Sequence, residues 1–460
     1  MTSAEVLSWP AFKGEFENGA RTIGTLRRSP PVPPPRATSL VDAVLDNMRW
    51  SDILVEKFIQ FVHIKNPILE IKNVNRIARH ARLEGLGWDT ESCLLLLVWA
   101  LGAVSSRFIP EPDDGPYMNS DLELGAALFA AATKRMGSVF LQGDVVAAQC
   151  SFYSGVYLMT IFQPHAAWRY FLQALACCQE LDFAVRSTQE PDLLHGTSPI
   201  EHRLYWTCWK SEVELRMHIG PLDFKLHDRV YPAHLPSPPA DPERNDRAWF
   251  FYLAEISLRR LNTTARNEIS QILSQGDSSS LFTSLKTSAE SYMGQLDAWI
   301  ESLPETIRLY TENDCEDILT FILRCHVANF TEQIYWPFIG VCGTAPVIGD
   351  MAELSKLALD NCVDRIEVAY LGYKHRHHGT WMLMQSCIRS ALVLLSAAYT
   401  MHGKTLLPEG WLRCVNHVLD MLRFWSGHDE TIRRQLEILQ DVMTGLGHYT
   451  SPSQRLQMSS

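Results

Sequence analysis

Residues 201–224 read EHRLYWTCWKSEVELRMHIGPLDF. Leu204, Tyr205, Trp206, Cys208, Trp209 and Val213 spread around most of a helical circumference. A helix apolar over so much of its surface is one packed on several sides. Its charges stand at helical spacing, Lys210 with Glu214 and Glu212 with Arg216, each pair four residues apart and able to meet along the helix. Gly220 and Pro221 then end it, because proline cannot continue a helix and glycine accepts the left-handed turn past its end. Two tryptophans and a tyrosine within five residues are more than a surface helix uses. They suit a helix onto which others dock.

Working upstream, the spacing predicts helices over Leu122–Leu141, Asp144–Phe162 and His165–Phe183, with very short joints. Val146, Cys150, Tyr153 and Tyr157 recur at helical intervals in the second, and Trp168, Phe171, Leu172 and Leu175 in the third. Short joints make antiparallel neighbours, so these helices stack as hairpins. Before them come Asp42–Ile64, a basic helix Val74–Leu83 and an apolar helix to Val104 that Asp89 or Thr90 caps. Downstream, long helical patterns cover Arg247–Gln275, Leu281–Leu303, Glu316–Ile339, Met351–Tyr373 and Met382–His402, with two more before Gly447. No segment alternates with period two for any length, and no fixed-length repeat occurs. The expected fold is all-α: a large multi-helix domain of stacked helical hairpins around a central buried helix at about 201–219.

The chain has 460 residues, enough for a large core, and 46% of them are hydrophobic and 20% charged, a globular composition. Residues 1–39 form a Pro-rich tail, carrying Arg27 to Arg36 in a polyproline-type stretch and one apolar patch, Val6 to Phe12, able to dock onto the folded body. Residues 40–450 make the helical domain and 451–460 a second tail. The start, MTSAEVLSWPAFKGE, lacks the pattern of a signal peptide. The longest apolar run, Cys93 to Val104, falls short of the ~20 residues of a membrane span. A net charge of −11 repels phosphate, which argues against a grip on nucleic acid by the body of the chain. Eleven scattered cysteines without a CxxC read as reduced core thiols.

Catalytic patterns are few. Asp113-Asp114 is the only adjacent aspartate pair, and no third carboxylate follows one turn on to hold magnesium against a diphosphate. GxSxG, HExxH and a phosphate loop ending in GK[ST] are absent, and Gly340–Gly343 lacks the lysine such a loop uses. His375-Arg376-His377-His378 has two readings: a metal pair one turn apart, or an exposed basic helix end at the negative pole of the dipole. Arg76, Arg79 and Arg82 share a helical face, for phosphates or for salt bridges. The aromatic set Tyr205, Trp206, Trp209, Trp168 and Tyr157 likewise reads as core or as the walls of a pocket for a small effector between helices. No catalytic, cofactor or metal residue is assigned, and the chain is not expected to be an enzyme.

Four stretches in order carry a resemblance: Phe58–Val62 through His63, Asn66-Pro67 and Leu69; Leu94–Ser106; Ala148–Phe183, with Tyr157, Trp168 and Ala174; and Arg203-Leu204-Tyr205-Trp206 to Pro221. Together they resemble the middle homology region of fungal zinc-cluster transcription regulators, best over roughly residues 40 to 300, with 301–450 as a variable helical remainder. The resemblance implies an all-α regulatory domain in a nuclear protein. That domain would receive an effector or partner signal, often for a metabolic or secondary-metabolite pathway. Members of that family carry an N-terminal six-cysteine module holding two zinc ions. Here the first cysteine is Cys93. Without that module neither zinc nor direct DNA binding is expected of these residues. The expected partners are then the transcription machinery or a DNA-binding protein, a small-molecule effector and, as an open alternative, a second copy of the chain. The rival expectation is a helical interaction scaffold or co-regulator.

Overall fold

Side chains at the helix starts set many of the element boundaries. Asn47 accepts the backbone N–H of Trp50 at 3.1 Å, Asp89 that of Ser92 at 2.7 Å, Asp144 that of Ala147 at 2.8 Å and Asp317 that of Thr320 at 2.8 Å. Each satisfies a donor that a first helical turn leaves without an intrahelical partner. The structure, a computed structural model, describes residues 2–12, 16, 38–108, 119–181, 198–219, 235–236, 246–275, 280–309, 317–339 and 349–449. Among these are eighteen α-helices and no strand, so the fold is all-α.

In chain order the first ten helices are α1 (Ser3–Leu7), α2 (Thr38–Asp46), α3 (Met48–Phe61), α4 (Ile71–Glu84), α5 (Thr90–Val104), α6 (Asn119–Thr133), α7 (Met136–Val139), α8 (Val145–Thr160), α9 (Pro164–Cys178) and α10 (Pro199–Ile219). The rest are α11 (Asp246–Gln275), α12 (Leu281–Glu301), α13 (Ile318–Tyr335), α14 (Asp350–Gly372), α15 (Thr380–Tyr399), α16 (Met401–Leu406), α17 (Trp411–Ser426) and α18 (Glu430–Tyr449). Two helices that the pattern runs together are broken. The Asn47 cap splits Asp42–Ile64 into α2 and α3, and Leu122–Leu141 stops at Thr133, whose hydroxyl turns back to donate to the Ala130 carbonyl at 2.9 Å. Arg27–Arg36, Asp113-Asp114, Gly220-Pro221, most of the Pro-rich connection from Tyr231 to Pro242, Gly340–Gly343 and the 451–460 tail lie outside the described residues.

The chain divides into two compact units. One holds Pro30–Ile256 with His375–Trp381; the other holds Met1–Ser29, Ser257–Lys374 and Met382–Ser460. In the first, every residue of α5 from Ser92 to Val104 is buried, and α3, α4, α6, α7 and α8 all pack on it. A Cβ at Gly102 would collide with the Leu54 backbone carbonyl, so this glycine lets α3 and α5 close on each other. The aromatic-rich α10 is buried as well, against α9, α8 and Tyr252 of α11, whose hydroxyl donates to the Arg203 carbonyl at 2.7 Å. Among the described residues more helices pack extensively on α5 than on α10. Aliphatic residues bury as completely as tryptophans and advertise it less.

The second unit is built from α12 to α18 and the N-terminal segment. Thr2 and Glu5 form a capping box at the start of α1, and Val6, Leu7 and Phe12 are buried. Trp9 lies 5.6 Å from Trp336 and Phe12 5.3 Å from Tyr399, between ring centroids. Helix α15 is long and apolar enough to cross a membrane, yet most of it is buried within the protein, as in a core helix.

Candidate functional site

Helix α3 ends at Phe61, and a single 3-10 turn, His63–Lys65, carries the chain inward. The His63 ring anchors that turn, its Nε2 facing the carbonyl oxygen of Leu69 at 3.1 Å and the Leu69 N–H at 3.3 Å. Tyr153 of α8 adds a hydrogen bond from its hydroxyl to the Asn66 carbonyl at 3.4 Å. Held this way, Lys65 is only 4% exposed. Among the described residues no carboxylate pairs with it. Burial alone pushes its amine down from the ordinary 10.5 to about 7.

The segment after α14 faces this lysine. Thr380 ties it, donating its hydroxyl to the His375 carbonyl at 2.9 Å and accepting the His377 N–H at 2.9 Å. The Gly379 N–H donates to Nδ1 of His377 at 3.0 Å. Arg376 donates to the Thr160 carbonyl at 3.1 Å, and its guanidinium lies over the Phe162 ring, 5.3 Å from the centroid. Phe162 sits just past α8 in the left-handed region, φ 61°, and the Gln163 N–H returns to the Leu158 carbonyl at 2.8 Å, a helix-ending turn that sets the ring under Arg376. His375 stacks on His377 at 5.3 Å and meets the edge of Phe108 at 5.4 Å. Its Nδ1 is buried without a hydrogen-bond partner.

His375, Arg376 and His377 are buried, which corrects the sequence expectation of an exposed helix end. The segment folds into the first unit instead of ending a surface helix. Burial, then the neighbouring Lys65, pushes His375 down to about 3; burial, then Lys65 and Lys210, does the same to His378. Among the described residues no group of three or more His, Cys, Asp or Glu is placed to hold a metal ion.

Between these parts lies a cavity of about 10 Å3, room for about one water or an ion of that size. Its walls are Phe61, Val62 and Lys65 after α3, Leu101 to Ser106 at the end of α5, Val156 and Thr160 of α8, and His375–His378. Among the described residues a lysine, an arginine and three histidines line it, and no carboxylate does. Lys210, Glu255 and Glu214 act electrostatically on His378, and Lys210 and Glu255 form a buried ion pair.

The five aromatic residues singled out in the sequence are placed otherwise. Trp206 and Trp209 meet edge to face at 5.6 Å in the core, and Tyr157 stacks on Phe129 at 4.3 Å. Trp168 donates its indole N–H to Glu212 at 3.0 Å, and the Tyr205 hydroxyl accepts from Gln179 at 3.4 Å. None of the five lines the Lys65 cavity, although Tyr157 lies on α8 beside Val156, which does. The Glu212–Arg216 pair forms at 3.0 Å as the spacing predicts, while Lys210 reaches Glu255 on another helix. Arg76 pairs with Glu91, and Arg82 with Asp52 at 3.3 Å. The described cysteines are unbridged and, Cys325 excepted, buried; burial pushes the thiols of Cys362 and Cys387 up to about 12, far from a reactive thiolate.

Sequence reasoning missed Lys65. Its one signal is a cation flanked by the apolar residues Phe61, Val62 and Ile64 on one side and Pro67, Ile68 and Leu69 on the other. Fold and site together define an all-α protein with a small, cation-lined cavity between its helices. No family model, curated protein or solved structure matches the chain.

Proposed function

We propose that the chain is a regulatory protein of transcription, acting in the nucleus through its helical, effector-sensing part on genes of a metabolic or secondary-metabolite pathway. One observation carries this reading. The four stretches that resemble the middle region of fungal zinc-cluster regulators lie on α3, α5, α8–α9 and α10, all in the first unit, and each of these helices packs on the next. They form one body, as the parts of one regulatory domain must. DNA contact falls to a partner or to a zinc-cluster module outside these residues, since the acidic charge of −11 disfavours phosphate. The reading includes no catalytic step, and the partners it names are a DNA-binding protein and the transcription machinery.

Deleting the gene and measuring all transcripts, beside imaging of a fluorescent fusion, tests this. A confined set of altered genes with nuclear fluorescence is the expected result. Unchanged transcripts and a protein excluded from the nucleus would instead favour an interaction scaffold.

A further inference from the structure

We infer that the cavity around Lys65 is a binding site for one small monovalent anion, of about the size of chloride. This goes beyond the transcription reading and does not depend on it. A buried ammonium without a counter-charge is costly, and the cost is relieved either by losing the proton or by taking in an anion. The cavity offers the second route. Lys65 and the Arg376 guanidinium supply positive charge, and among the described residues no carboxylate on the lining competes. The same charge disfavours a cation. The small volume favours an ion of about the size of chloride over the larger sulfate, phosphate and organic acids.

Anion binding is then linked to protonation of Lys65, because the amine that attracts the anion is also stabilised in its charged form by it. The groups around the amine are His63 on its own turn and His375, Arg376, His377 and His378 across the cavity, with Lys210, Glu214 and Glu255 behind His378. The lining residues of α5 and α8 carry no titratable side chain. His63, His375 and His378 are held well below the ordinary histidine range, while burial brings Lys65 down to about 7.

The test is thermal unfolding of the full chain in sodium chloride, bromide or nitrate, against sodium sulfate or glutamate at matched ionic strength, at pH 6 and pH 8. The 35Cl NMR line width is measured on the same samples. Expected is a saturable rise of about 1–3 °C in the melting midpoint with chloride, bromide and nitrate, larger at pH 6, against only the non-saturating rise of an excluded salt with sulfate or glutamate. Lys65→Met, which keeps the length and removes the charge, abolishes both the shift and the excess line width. Arg376→Gln, a second variant that removes the other cationic group of the lining, weakens both. No saturable rise in chloride, a saturable rise of equal size in sulfate, or a line width unchanged by Lys65→Met would overturn the proposal.

Discussion

The Glu332→Gln variant unfolds with a stability lower by about 3–5 kcal/mol. Glu332, on α13, is nearly buried between Arg365 of α14 and Arg389 of α15. Arg389 grips it with two donors, Nε at 2.7 Å and Nη2 at 2.5 Å, and Arg365 lies at 3.0 Å. Burial works to raise this carboxyl, but the two guanidinium groups prevail and hold it down to about 2. Glutamine keeps the shape and an acceptor oxygen and removes the charge. Two buried guanidiniums are then left without their carboxylate. Arg365 keeps its bond to the Ala328 carbonyl at 2.6 Å, which replaces none of the lost charge. A urea titration of both proteins measures the difference. A loss under ~1 kcal/mol would mean the triad is hydrated and worth no more than a surface pair.

Acid is the second large effect. His63, His375 and His378 are held at about 4, 3 and 3 in the folded protein, each by burial first, against an ordinary 6.5. A depressed histidine stays neutral in the folded state while the unfolded chain takes up a proton. Stability is therefore full above about 6.5 and falls as pH drops toward the folded values. Each histidine accounts for about 2 kcal/mol by about pH 5, or about 6 kcal/mol for the three, a large share of a typical folding free energy. Lys65 acts in a different window: its folded value is also depressed, so its cost is full below about 7 and is relieved as pH rises toward 10.5. Glu332 adds to acid loss only below its ordinary 4.5. Urea midpoints at pH 7 and pH 5 decide the matter, and equal midpoints would show that water reaches these histidines.

How far such features can be read in advance follows from their range along the chain. The caps Asp89 and Asp144 and the Glu212–Arg216 pair are local, and spacing alone predicts them. The Lys210–Glu255 pair and the Glu332 triad join different helices, and no periodicity marks them. The same holds for the cavity. Lys65 and His375 stand about 300 residues apart, and a turn locked by His63 and a segment tied by Thr380 bring them together. The histidine run drew attention as chemistry, but its burial depends on how α14 ends and where the following segment packs. Aromatic density located α10, and the aliphatic α5, on which more of the described helices pack, was legible only as an apolar run.

Lys65 is a buried ammonium with no carboxylate beside it among the described residues, and NMR of protein labelled at the lysine ε position, with Lys65→Met to assign the signal, measures it directly. In chloride-free buffer the Lys65 signal should titrate with a midpoint of about 7 and move upward as chloride saturates the cavity. A midpoint in the ordinary range near 10.5, indifferent to chloride, would contradict it: the lysine would then be hydrated or paired, and the cavity would hold no anion.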